Sequence, residues 1–347
     1  MKAEAIVNAA CGTRFTAAVL RVERKGRLVL ERAFGTLDDE AGTPSTDVTT
    51  RFDLASLTKV FVAAAALFAV QAGDLELDEP LHAFVPEWRG TAHAPITLRM
   101  LLAHTSGMYS GADYRTLFGE NVENFALLRP LAASPGERVI YSDLGFIALG
   151  TVLSRALGAG LPAVMQAACT RLGARETAYR PGERERRTIP PTERDAWRGR
   201  VRGTVHDEKA HLMNGIAGHA GLFGTARDVA LLSEAFLAPR TGRPGGALDF
   251  VLARSAVEEW GADPVLRRGL GWALKTSDAN SCGAAMSFAT FGHTGFTGTC
   301  VWADPERDLS IVFLTNAVYF GRNDLREVRA AVCDAVVEEV DGCAPSA

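Results

Sequence analysis

The sequence predicts an α+β (α/β-type) fold: an antiparallel β-sheet flanked by N- and C-terminal helices, with a mainly helical lobe attached. Three observations lead there. Two runs near the start pair as a hairpin, and two near the end pair as another. The long middle carries helical periodicity instead.

Residues 3–10 read as a short amphipathic helix. Segments 15–22 and 27–34 read as strands, with Arg24-Lys25-Gly26 as the turn, where glycine tolerates positive φ. Segments 298–303 and 309–317 form the second hairpin, around Asp304-Pro305-Glu306-Arg307. Within it, 310–315 is apolar enough for a central strand. Residues 324–340 have helical spacing and end at Asp341-Gly342. In the middle, 56–72 reads as a helix closed by Gly73, and 98–104, 146–157, 161–172 and 226–237 as further helices. Segments 180–191 and 238–246, rich in Gly, Pro and Arg, separate them. No internal repeat is present. The expected division is a discontinuous sheet domain, 1–55 with 265–347, and a helical lobe, 56–264. A cleft between the two is the natural ligand site.

The 347 residues, 47% hydrophobic, are ample for a core, and the net charge of −4 offers no basic field for nucleic acid. The six cysteines are scattered without a C-x-x-C pair, so neither zinc nor a disulfide framework is indicated, and reduced thiols are expected. The longest apolar run, 60–70, stops at Gln71, short of the roughly 20 residues a membrane span needs. No signal peptide is visible at the start, so a cytoplasmic protein is expected. Lysine is scarce: Lys2, Lys25, Lys59, Lys209 and Lys275 are all there are. One inside an apolar stretch, as Lys59 is, invites a reason.

Three short motifs carry chemistry. In Ser56-Leu57-Thr58-Lys59, residues three apart share a helix face, so the amine reaches the hydroxyl. A serine hydroxyl needs a base to become a nucleophile. Burial among Val60, Phe61 and Val62 should lower the Lys59 pKa and free its lone pair. Ser56 at a helix N-terminus also turns its own N–H toward an oxyanion. Alone, the motif fits a serine cap and a solvated lysine better. In Tyr141-Ser142-Asp143, a tyrosine beside the lysine can shuttle a proton, while Asp143 could equally cap the helix that follows. In His293-Thr294-Gly295, glycine lets a substrate approach a strand edge, Thr294 offers a hydroxyl, and His293 offers a switchable donor. The N–H of Phe296 can be a second oxyanion donor.

In this order, S-x-x-K, Y-S-D and H-T-G resemble the serine β-lactamase and penicillin-binding-protein superfamily, in its class C-like branch. Phe52-Asp53-Leu54-Ala55, Leu101-Leu102-Ala103-His104-Thr105-Ser106-Gly107, Ser134-Pro135-Gly136-Glu137 and Gly269-Leu270-Gly271-Trp272 extend the resemblance over nearly the whole chain. It implies a β-lactamase/transpeptidase-like fold and no cofactor. It also implies roles: Ser56 acylated, Lys59 as base, Tyr141 assisting it and protonating the leaving group. Ser56 and Phe296 N–H groups would hold the oxyanion, and His293, Thr294 and Gly295 the substrate. Asp143 stands where the family often has Asn. A carboxylate there cannot donate as an amide does and, if close, raises the pKa of Lys59. His293, where many β-lactamases have Lys, resembles DD-peptidase-type members.

The segments Gly203-Thr204-Val205-His206-Asp207-Glu208-Lys209-Ala210 and Ala217-Gly218-His219-Ala220-Gly221-Leu222-Phe223 resemble a branch containing low-mass carboxypeptidases and muramyl-alanine amidases. They read either as cleft residues, with His206, Asp207 or Glu208 contacting substrate, or as a hydrogen-bonded loop bracing the helical lobe. A metal held by His206, His211 and His219 is not indicated, because the spacing is not H-E-x-x-H. The expected function is a serine hydrolase of small peptidoglycan-derived amides. An esterase or β-lactamase of the same fold is the rival within enzymes, and a non-catalytic acylation sensor the rival outside them. The expected partner is thus a small molecule or peptidoglycan fragment; the sequence gives no oligomeric state.

Overall fold

The computed structural model describes residues 2–244, 246–261, 266–277 and 279–342. The expected boundary at 264/265 and Cys343 lie outside these. A six-stranded antiparallel sheet runs in the order Arg27–Gly35, Ala17–Arg24, Leu309–Thr315, Cys300–Asp304, Phe291–Thr294, Ala273–Leu274. The first turn is tighter than expected. Arg24 still pairs with Arg27, so Lys25 and Gly26 turn the chain alone, both at positive φ.

Leu309–Thr315 is buried at every residue. Val312 and Leu314 join the core shared with the Ala226–Arg240 helix, while Ile311 and Phe313 face the core under the terminal helices Lys2–Ala10 and Arg326–Gly342. A strand covered on both faces has no polar side to show, which explains its unbroken apolar run.

The Leu57–Ala72 helix is buried over its first thirteen residues and ends on Gly73 in the left-handed region. Two expected helices shift their ends for local reasons. The helix expected over 98–104 stops at Leu102, because His104 takes a φ of 60°. The one expected from Phe146 starts at Asp143, because the Ser142 hydroxyl accepts from Gly145 N. Ala226–Arg240 runs past Leu237 and carries Pro239 in its last turn.

A second, three-stranded sheet joins Phe52–Asp53, Leu222–Gly224 and Ala178–Tyr179. Strands of two or three residues carry no periodicity, so the sequence does not show them. This sheet pins the chain just ahead of Ser56. Among the described residues no single helix is long and apolar enough to cross a membrane, and the five described cysteines are free thiols.

Candidate active site

Ser56 stands on a turn that its neighbours force. Asp53 Oδ1 accepts from Ala55 N at 2.9 Å and Oδ2 from His206 N at 2.6 Å. Burial pushes the Asp53 carboxyl up to about 6. Ala55 is held at a φ of 46°, a left-handed conformation costly for any residue with a Cβ. This swings Ser56 to the start of the Leu57–Ala72 helix. Its side chain makes no capping bond. The only hydrogen bond to its hydroxyl among the described residues comes from Lys59 Nζ, at 3.0 Å. The simple helix-cap reading of Ser56 therefore fails.

Lys59 is fully buried beneath Ser56. Its amine meets three acceptors: Ser56 Oγ, the His219 carbonyl at 3.1 Å and Asp143 Oδ1 at 2.8 Å. Three acceptors match the three protons of an ammonium. The expectation of a lowered pKa is overturned. Burial does oppose the charge, but Asp143, followed by Tyr141, outweighs it and holds Lys59 above its ordinary value. The Tyr141 ring lies 4.9 Å from the amine.

Ser142, not Asp143, caps the following helix. That leaves the Asp143 carboxylate free to face inward. Two lysines receive it, Lys59 on Oδ1 and Lys209 on Oδ2 at 3.3 Å. Burial resists its charge, yet Lys59 and His219 draw its pKa below the usual carboxylate value.

His104 braces the Tyr141 segment. Its Nδ1 accepts from Ser142 N at 3.0 Å, its carbonyl from Ile140 N, and its ring lies 4.7 Å from that of Tyr141. The Gly269–Trp272 turn packs on the Ser56 helix: a Cβ on Gly271, already at positive φ, would come within 2.4 Å of Ala63 Cβ.

His293 and Thr294 end the strand Phe291–Thr294. Its outer neighbour, Ala273–Leu274, pairs only with Gly292 and Phe291, so the edge at 293–295 stays open. On the other side Gly295 backs onto Thr299 Oγ1 and the Leu54 carbonyl, which a Cβ would meet at 2.1 and 2.7 Å. His293 departs from the expected switchable donor. Burial, then Arg268 and Lys59, push its pKa well below the ordinary value. A neutral ring whose Nδ1 bonds the Thr294 carbonyl at 2.8 Å must donate there, so its unpartnered Nε2 is an acceptor.

Ser56, Tyr141, His293, Thr294, Gly295 and Phe296 all line one cavity of about 570 Å³. Among the described residues neither the Ser56 nor the Phe296 backbone N–H is engaged. Three residues that sequence reasoning named for the cleft are elsewhere: His206, Asp207 and Glu208 do not line this cavity. His206 is 2% exposed and its ring packs on that of Phe296 at 5.5 Å. Asp207 caps the short helix Glu208–Leu212 and accepts from His219 Nε2 at 2.7 Å.

The oxygens of Asp143 and Asp207 and a nitrogen of His219 converge closely enough to suit a cation. The ammonium groups of Lys59 and Lys209 already lie on those carboxylates.

Sequence reading missed Arg268. It lines the cavity with its guanidinium 5.0 Å from the Tyr141 ring, and no acid among the described residues pairs with it. The other cavity arginines are occupied. Arg322 bonds Glu193 and Glu208, and Arg329 bonds the Gly295 and Thr299 carbonyls. Nothing in the local sequence separates Arg268 from Arg267 beside it. Only the fold turns one inward and pairs the other with Glu259.

Residues 4–334 match the family Beta-lactamase. The chain is 29% identical to the N-acetylmuramyl-L-alanine amidase of Bacillus subtilis (strain 168), over 87% of this chain and 77% of that protein. It is 30% identical to Esterase EstB of Burkholderia gladioli, over 89% and 88%. It is also 30% identical to a putative D-alanyl-D-alanine carboxypeptidase of Escherichia coli (strain K12), over 77% and 69%. These relatives differ in what their names say they cleave, and what they share with this chain is the scaffold. The chain belongs to the Beta-lactamase family and is a serine hydrolase of β-lactamase fold.

Proposed function

We propose that this enzyme hydrolyses peptidoglycan-derived amides bearing a free carboxylate, in the manner of a D-alanine carboxypeptidase or a muramyl-alanine amidase, through an acyl-enzyme on Ser56. The observation that carries the reading is Arg268: a guanidinium on the cavity wall with no acid partner among the described residues. A half-buried guanidinium with no acid partner among the described residues favours an anionic ligand beside it. Likeness to an amidase and a putative carboxypeptidase supports the same substrate class.

Ser56 Oγ attacks the amide carbonyl while the N–H groups of Ser56 and Phe296 receive the developing oxyanion. The Ser56 proton passes to Lys59 Nζ in those molecules whose amine has lost a proton. Tyr141 relays a proton onto the leaving nitrogen. Water then attacks the ester, releasing the acid and restoring the Ser56 hydroxyl. Since Lys59 rests as an ammonium, acylation should speed up with rising pH.

Likeness to an esterase favours a second reading, a carboxylesterase of neutral esters. Arg268→Gln separates the two. The amide reading expects KM for a D-alanyl-D-alanine peptide to rise about tenfold or more, as for a lost charge-assisted bond. KM for a neutral nitrophenyl ester should change far less. Equal effects on both substrates would remove the carboxylate from the account.

A further inference from the structure

The H-D-E-K and G-H-A-G segments find a place in the structure that neither cleft contact nor simple bracing describes. They complete a closed circuit behind Lys59. Lys59 bonds Asp143 Oδ1 at 2.8 Å, and Lys209 holds Asp143 Oδ2 at 3.3 Å. Lys209 also holds Asp207 Oδ2 at 3.1 Å, and Asp207 Oδ1 meets His219 Nε2 at 2.7 Å. The His219 carbonyl accepts from Lys59 at 3.1 Å and closes the ring. Gly218 lets this loop approach: a Cβ there would come within 2.0 Å of the Phe146 carbonyl. Two ammonium groups thus alternate with two half-buried carboxylates. Lys209 is 9% exposed and does not line the cavity.

We propose that Lys209 is a positioning residue for acylation: by holding the second oxygen of Asp143, it keeps that carboxylate from claiming Lys59 as its sole counter-ion and so keeps the amine able to become a base. The inference rests on the Ser56–Lys59 acyl-enzyme reading above and adds to it the control of the base. Asp143 alone would lock Lys59 as an ammonium. A second ammonium on the same carboxylate competes for it and repels the first.

The other groups facing Lys59 do not replace it. His104 and His293 are buried with pKa values well below the ordinary one. Tyr141 sits on the cavity side. Arg268 lies across the Tyr141 ring and outside the circuit. Asp207 and His219 belong to the circuit, and removing Lys209 leaves both carboxylates with Lys59 as the one remaining lysine ammonium in it. Lys209 itself is held charged: burial opposes the charge, but Asp207 and Asp143 raise its pKa.

The test is the pH dependence of kcat/KM for a nitrophenyl ester in the full-length protein. In Lys209→Met the acid limb should move up by about one pH unit or more, with about a tenfold loss of kcat near neutrality and little change in KM. Lys209→Arg, which keeps the charge, should hold the wild-type limb. In an Asp143→Asn background, Lys209→Met should move the limb much less, because the two act through one another. A loss that persists on the alkaline side of the limb, where Lys59 is neutral in both proteins, or an unmoved limb in a folded Lys209→Met, would overturn the proposal. So would a limb displaced as far in Lys209→Arg, which decides the matter should Lys209→Met not fold. If the wild type shows no turnover that depends on Ser56, the acyl-enzyme reading falls and takes this inference with it. If that turnover is present and the limb stays put, only the inference falls.

Discussion

At Asp143 two effects on one amine compete. Burial alone would strip Lys59 of its proton, and the carboxylate at 2.8 Å reverses that outcome. Asp143→Asn removes the opposing charge and leaves burial in place. The Lys59 pKa should then drop, the neutral amine should become more populated, and the acid limb of kcat/KM should move down by about one pH unit or more. Rates measured from about pH 6 to about pH 11.5, past the ordinary lysine value, check this. An unmoved limb would mean that Asp143 does not act on the base. Linkage runs the other way for the folded state. A lysine pKa raised by folding contributes stability below its unfolded value and loses it as pH rises through the folded one. Asp143, lowered on folding, contributes stability above its unfolded value and loses it in acid. The S-x-x-K spacing showed that Lys59 reaches Ser56, but the sign of its pKa shift was not legible in that motif. It depends on a carboxylate some eighty residues away, whose approach only the fold determines.

At the scale of elements, the site hangs on backbones packed without room for side chains. Gly295 is wedged between Thr299 and the Leu54 carbonyl. Gly295→Ala would force the end of the Phe291–Thr294 strand away from the turn that presents Ser56. Turnover should fall at least a hundredfold, as small misplacements of reacting groups do, and the overpacking should cost about 1–3 kcal/mol of stability. Thermal melting together with single-turnover rates would check both. Full activity in that variant would mean the strand end is free to yield.

Long elements were legible in the sequence because their periodicity is repeated many times. The Leu161–Leu172 helix matches the reading at both ends. Phe52–Asp53 and Leu222–Gly224 are too short to repeat anything, yet they set the Ser56 turn. The His206-Asp207-Glu208-Lys209 stretch was visible as unusual. That Asp207 and Lys209 turn toward the back of Lys59, while His206 and Glu208 brace the cavity residues Phe296 and Arg322, was not, because one helical turn points its side chains wherever its caps are anchored. The scarcity of lysine was the one available signal for Lys209.

For the whole molecule, strands from both chain ends build one sheet, and the three motifs meet on its open edge. S-x-x-K, Y-S-D and H-T-G lie far apart in sequence, and their order along the chain is what made the fold recognisable. What the order could not convey is the charge of the cavity: a neutral His293 on the strand, and an Arg268 with no acid partner among the described residues. The proposed reaction is a covalent step at Ser56 on a wall-derived amide. Its most direct test is mass spectrometry of a defined muropeptide mixture after incubation with wild-type protein and with Ser56→Ala, which should fold alike and differ only in chemistry. The wild type alone should give a product, either a peptide shortened by D-alanine or a sugar freed from its peptide. An unchanged mixture, from a wild-type protein that still cleaves a simple ester through Ser56, would contradict it and leave an esterase.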